Sequence, residues 1–310
     1  ILLIMLSLLS VLQIEAQKTI DLSGDWNFEI DRQDIGEKEK WFNQTLQDVI
    51  ELPGSMPERL KGDDVTVRTR WTGSLYDSSY YYNPYMEKYR REGNVKLPFF
   101  LTPDKHYVGV AWYQKEINLP KDWKKERIVL VLERPHIEST VWVNGHKVGM
   151  QNSLCVAHIY DVTRYVRPGK CNITIRIDNR IKEINVGPDS HSITDQTQGN
   201  WNGIVGRICL QATPHVYFDD IQVFPEPEQK LARVKLRIKS SNKSSTTAQV
   251  RLSAESFNAE KKHILPVLMQ EVKVKHGIAE QEIVLPMGDD MLLWDEFNPA
   301  LYKLTAEIST

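Results

Sequence analysis

Apolar residues along this chain recur at every second position far more often than at helical spacing. Such alternation turns one side of an extended strand to a core and the other to solvent. Arg233-Val234-Lys235-Leu236-Arg237-Ile238, Gln249-Val250-Arg251-Leu252-Ser253 and Glu282-Ile283-Val284-Leu285 all follow it. Residues 128–132 form the short unbroken apolar run of a sandwich-core strand, and Thr140-Val141-Trp142-Val143 runs straight into Asn144-Gly145. That pair tolerates positive φ at both centres of a type I′ hairpin turn. Cys171 alternates in phase with Ile173, Ile175 and Ile177, which predicts a thiol buried as a small hydrophobe. Many short strands, no strand–helix alternation and no glycine-rich phosphate loop predict an all-β protein of sandwich type.

The pattern also divides the chain. Residues 1–12 are uncharged and apolar, too short to span a bilayer, and Ala16 follows at a plausible cleavage point. Residues 1–16 therefore read as part of a signal peptide, and the protein is expected to be exported, periplasmic or extracellular, with no membrane partner after cleavage. Phe224-Pro225-Glu226-Pro227-Glu228 carries two prolines within three residues and reads as an extended connector. The expected domains are 17–224 and 225–310, with Ser240-Ser241-Asn242-Lys243-Ser244-Ser245 turning between the first two strands of the second. Residues 301–308 still read as strand at the end of the sequence, so the second domain is expected to be truncated there.

One stretch departs from the sandwich pattern. Residues 68–100 hold Trp71, Tyr76, Tyr80, Tyr81, Tyr82, Tyr85 and Tyr89 among polar residues. A long loop of this kind inside a domain is usually functional. Tyrosine at this density serves either ligand stacking or packing of an insertion against the sandwich flank.

Composition narrows the chemistry. The formal net charge is −2, with no long Lys/Arg block, which argues against nucleic acid or an anionic membrane as partner. Three widely spaced cysteines give neither a disulfide framework nor a CxxC site, and the eight histidines include no HxH or HExxH. Neither a metal nor a cofactor is expected.

The order of motifs resembles the front half of family-2 glycoside hydrolases, the group of β-galactosidases, β-glucuronidases and β-mannosidases. The resemblance rests on Asp21-Leu22-Ser23-Gly24-Asp25-Trp26, Leu52-Pro53-Gly54-Ser55, Tyr107-Val108-Gly109-Val110-Ala111-Trp112-Tyr113, Trp142-Val143-Asn144-Gly145, Tyr160-Asp161-Val162-Thr163, Ile177-Asp178-Asn179-Arg180, the 199–207 strand and Leu293-Trp294-Asp295-Glu296-Phe297-Asn298-Pro299. It implies a jelly-roll sugar-binding domain, then an immunoglobulin-like sandwich, then a catalytic (β/α)8 barrel on the same polypeptide as partner. The two glutamates that retaining hydrolysis requires belong to that barrel, so no catalytic residue is assigned here.

The resemblance further implies that a late loop of the first domain reaches the rim of a sugar pocket. The matching segment is 190–203, with Asp195 as the candidate acceptor for sugar hydroxyls and His191, Gln198, Asn200 and Trp201 as its neighbours. Gly203 ends the segment and would permit close backbone approach. The other reading of this segment is a polar turn with Trp201 in the core. Val205 and Gly206 place one residue more than the family pattern before Arg207, which shifts the register. The expected function is thus the non-catalytic portion of an exported, β-galactosidase-like enzyme acting on carbohydrate. The alternatives are a stand-alone carbohydrate-binding or surface-attachment protein, and an esterase carrying the same modules.

Overall fold

The computed structural model describes residues 18–72, 78–97, 101–182, 194–195, 199–241 and 245–310; residues 1–16, expected to be a signal peptide, lie outside them. They form two compact units that divide between Ala212 and Thr213. The first unit holds β1 (Lys18–Asp21), β2 (Gly24–Asp31), β3 (Asp48–Leu52), β4 (Gly54–Ser55), β5 (Asp63–Asp64), β6 (Lys105–His106), β7 (Val110–Leu119), β8 (Arg127–Pro135), β9 (Glu138–Val143), β10 (His146–Asn152), β11 (His158–Asp161), β12 (Gly169–Asp178) and β13 (Gly203–Thr213). One sheet runs β1-β13-β8-β11 with β4 attached to β13, and the other runs β10-β9-β12-β7-β2-β3. Their facing sides enclose a core that includes Trp26, Phe28, Tyr113, Leu130, Leu132, Val141 and Ile175.

The hairpin at Asn144-Gly145 joins β9 to β10 with φ of 50° and 79°, the conformation that this residue pair favours. Along β12 the inward positions Cys171, Ile173, Ile175 and Ile177 are buried as the alternation requires, and the thiol is free. Its outward positions Thr174, Arg176 and Asp178 are buried too. The segment between β2 and β3 accounts for this second layer. Trp41, Phe42 and Leu46 pack on Trp112 and Trp142, and Asp34 reaches Arg176 at 2.7 Å and Arg180 at 2.5 Å. Gly36 lets the segment pass close, since a Cβ there would stand 2.6 Å from the Trp112 indole nitrogen. Asp178 collects Arg180 at 2.6 Å, Lys182 at 2.7 Å and Arg176 at 3.4 Å. These cations hold its carboxyl well below the usual range, overcoming the opposing effect of burial.

The tyrosine-rich insertion folds into a small lobe. Short 3-10 turns at Ser78–Tyr81 and Pro84–Tyr89 close over Tyr80, Val95 and Leu97, with Val65, Trp71, Met86 and Tyr89 packed around them. The Tyr80 hydroxyl donates to the Tyr89 carbonyl at 2.6 Å, and the Arg90 guanidinium donates to the Tyr80 carbonyl. Tyr76 lies outside the described residues. Tyr80 and Tyr89 pack in the lobe, whereas Tyr82 and Tyr85 stay 71% and 84% exposed.

The second unit holds β14 (Val216–Glu226), β15 (Leu231–Ser240), β16 (Thr246–Phe257), β17 (Leu268–Val274), β18 (Ile278–Pro286) and β19 (Leu301–Ser309). Two three-stranded sheets, β14-β15-β18 and β17-β16-β19, close on Val234, Leu236, Ile238, Val250, Leu252 and Ile283. The connector expected at 224–228 is corrected here. Pro225 sits inside β14, opposite Ala232 of β15, twelve residues beyond the division between the units. β14 lies at the edge of its sheet, where a missing N–H can face away from the ladder. The serine-rich turn accordingly follows the second strand of this unit, and Asn242, Lys243 and Ser244 lie outside the described residues.

Candidate functional site

Just ahead of β13 the chain passes through Asp195 and then 199–202, beside a cavity of about 700 Å³. Ser55, Pro57, Lys96, Leu97, Leu101, Thr102 and Pro103 complete the wall with Gly199, Asn200 and Trp201. The size falls within the range of small-ligand pockets, and the lining mixes apolar faces with a few polar groups. His191 and Gln198, the other candidate neighbours, lie outside the described residues.

Gly203 anchors this geometry. At φ +145°, a Cβ on it would meet the Gly54 carbonyl at 2.5 Å, so β4 can approach β13 only against glycine. The extra residue before Arg207 coincides with Gly206, whose φ of +74° inside β13 and close approach to Glu133 mark a local irregularity of the strand.

Asp195 lines the same cavity and is held by a set of hydrogen bonds. It is 1% exposed, and its carboxylate accepts the Thr72 amide at 2.6 Å and the Asn200 amide at 2.8 Å. Its own amide donates to the Thr72 carbonyl at 2.9 Å, and its carbonyl accepts the Leu101 amide at 3.0 Å. His106 Nε2 stands 3.4 Å from Oδ2. The residue thus links Thr72, Leu101 and Asn200 through its side chain and backbone, and it lines the cavity beside Trp201.

Asn200 is equally committed. Its amide group donates to Thr72 Oγ1 at 3.1 Å and to the Asn179 carbonyl at 3.0 Å, while its Oδ1 accepts from Asn179 Nδ2 at 3.1 Å. Asn202 Nδ2 donates to the carbonyls of Gly109 and Ile177, and its Oδ1 accepts the Tyr113 hydroxyl at 2.7 Å. These buried amides satisfy backbone groups that the end of β12 and the start of β7 leave unpaired.

Trp201 is the aromatic residue in the lining of this cavity. It is half-buried, lines the cavity, and stacks on the His136 ring at a centroid distance of 4.5 Å and an angle of 21°. His136 is buried, and its Nε2 lies 3.2 Å from Asn200 Oδ1, an acceptor, so Nε2 carries the proton. Burial pushes its pKa down to about 4 against the opposing pull of that hydrogen bond. The imidazole is therefore neutral at physiological pH, a flat support behind the indole. Sequence reasoning missed His136 because it lies at the end of β8, 65 residues before Trp201, and carries no motif. Among the described residues no group of three His, Cys, Asp or Glu side chains is placed to hold a metal ion.

Residues 19–214 match the sugar binding domain of glycosyl hydrolases family 2, and residues 216–310 match a second domain of the same family. The chain belongs to glycosyl hydrolase family 2. It is similar to the β-glucuronidase of Paenibacillus borealis, 25% identical over 66% of this chain and 30% of that protein. It is also similar to the β-galactosidase large subunit of Leuconostoc lactis, 24% identical over 86% of this chain and 39% of that protein. A solved β-glucuronidase from an uncultured Clostridium shares the fold with a TM-score of 0.60 at 20% identity, over 95% of this chain and 43% of that one. The chain thus spans 30–43% of the length of these relatives. Its two sandwiches are the non-catalytic N-terminal domains of β-glucuronidase- and β-galactosidase-type glycosidases, as the motif order implied.

Proposed function

We propose that this family-2 chain forms one wall of the sugar pocket in an exported β-glycosidase, with the bond-breaking carboxyl groups on polypeptide outside these two domains. The observation that carries the reading is Trp201, an aromatic face at the cavity held from behind by a neutral imidazole. Sugar rings present C–H surfaces that pack on such a face, while a buried network of Asp195, Asn200 and Asn202 keeps the wall rigid. β-Glucuronidases dominate the named relatives and a β-galactosidase is also among them. We therefore place a β-glucuronide ahead of the galactoside expected from the motifs alone.

The 310-residue chain is expected to bind glucuronate or galactose weakly and to leave aryl glycosides intact. A parent enzyme carrying these domains should hydrolyse an aryl β-glucuronide, and Trp201→Ala should raise its KM about tenfold with a smaller effect on kcat. Turnover by the 310-residue chain itself, abolished by changing one of its own Asp or Glu residues, would overturn the proposal. So would a parent enzyme indifferent to loss of the indole.

A further inference from the structure

The second unit is closed along one side and open along the other. On the closed side β17 meets β18, and Val272, Val274, Ile283 and Leu285 are all buried. On the other side the outermost strands of the two sheets are β14 and β19. Ile221 and Val223 of β14 stand opposite Leu236 and Val234 of β15, so all four turn to the same inner face. Leu236 and Val234 are buried there, whereas Ile221 and Val223 stay 39% and 47% exposed. β19 repeats the pattern. Its Leu304, Ala306 and Ile308 are half-buried, although Ala254, Leu252 and Val250 opposite them on β16 are buried.

A cleft of about 410 Å³ borders both edges. Val223 and Pro225 line it from β14, and Leu301, Tyr302 and Leu304 line it from β19. Among the described residues its lining carries no charged side chain. Leu293 and Trp294 also line it, beside a turn fixed by the Asp295 carboxylate, which accepts the amides of Phe297 at 2.8 Å and Asn298 at 2.7 Å. A long edge strand with an uncovered apolar face is a template for pairing with another strand, and β19 runs for nine residues.

We propose that a further strand lies antiparallel along the free edge of β19 and closes this cleft, supplied by polypeptide outside these two domains. A row of backbone N–H and C=O groups is satisfied along its length by a strand and not by a helix. The strand pairs of this unit are antiparallel, and the uncharged cleft calls for an apolar residue at every second position of the newcomer. The chain spans 30–43% of its relatives, so each of them carries ample polypeptide to provide such a segment. The inference rests on the part of the reading above that places polypeptide outside these domains, and it is independent of the sugar pocket.

The test appends to the 310-residue chain an Asn-Gly turn and a strand with valine opposite Ile308, Ala306 and Leu304 and threonine opposite Ser309, Glu307 and Thr305. A control exchanges the two residue types, which keeps the composition and moves every valine to the outer face. The first extension should raise the temperature at which the second unit melts by about 5 °C. It should also slow amide exchange along β19 about tenfold, and the control should do neither. Both readouts report stability, so a chain that binds no sugar would still pass or fail them. Sedimentation of the unextended chain should show a monomer. No gain from the first extension, an equal gain from both, or a dimer of the unextended chain that the first extension disperses would each overturn the proposal.

Discussion

The two sandwiches solve the same packing problem with different interiors. In the second, β15 and β16 alternate strictly, and among the described residues the buried polar ones are Ser240 and Ser256. In the first, Asp31, Gln114, Arg176, Asp178, Asn179, Asp195, Asn200 and Asn202 are all buried. An apolar interior is non-directional and tolerates adjustment, whereas a satisfied polar network specifies one arrangement and is costly to break. Part of the polar interior, Asp195 and Asn200, borders the Trp201 cavity, and part of it, Asp31, Gln114, Arg176 and Asp178, lies beneath the segment between β2 and β3.

Four perturbations sharpen or break that contrast. The largest effect is expected from Asp178→Ala, which removes the buried carboxylate that Arg176, Arg180 and Lys182 share and leaves only the more exposed Asp34 and Glu138 to balance them. Removing one partner from a buried pair costs about 3–5 kcal/mol, to be read from denaturant unfolding. Leu252→Ala opens a void in the second unit at a cost of about 3 kcal/mol. Hydrogen exchange should quicken across 216–309 and stay slow at β12, and equal acceleration in both units would contradict the division.

The third perturbation is pH. His136 binds its proton near pH 4 when folded and near the ordinary histidine value of 6.5 when unfolded. The unfolded chain therefore takes up more protons between these values, and stability falls as pH drops from 6.5 to 4, then levels off. The integrated effect is at most about 3 kcal/mol. His158 is shifted the same way by burial and adds to the loss. His136→Phe should flatten the stability–pH curve over this window; an unchanged slope would show that His136 is not the titrating group. The smallest effect is expected from Tyr85→Ala, which should change stability by less than about 0.5 kcal/mol because the ring contributes little to the core.

Much of the fold was legible because local chemistry and tertiary need agree. Asn144-Gly145 turns as such a pair must, and β15, β16 and β18 show their burial in their alternation. The double proline misled because an edge strand tolerates what a central one cannot, a difference invisible until β14 is placed beside β15. The second layer over β12 was illegible for a similar reason: the segment carrying Asp34 and Trp41 is distant in sequence and has no periodicity. At the site, three residues the sequence singled out, Asp195, Asn200 and Trp201, lie on one cavity, and the partners that hold them were not legible. A carboxylate offered to a ligand and one consumed by Thr72 and Asn200 look identical until their donors are located. Trp201 was identified, and the imidazole behind it was not.

The four backbone hydrogen bonds and side-chain contacts made by Asp195 bear on how such a protein could be re-engineered. Because this single residue ties Thr72 at the root of the insertion to Leu101 and Asn200 in the wall, the lobe is not a detachable cassette. Transplanting it into another family member would have to carry the aspartate and its three anchor points along, or the recipient's cavity would lose its shape with the graft.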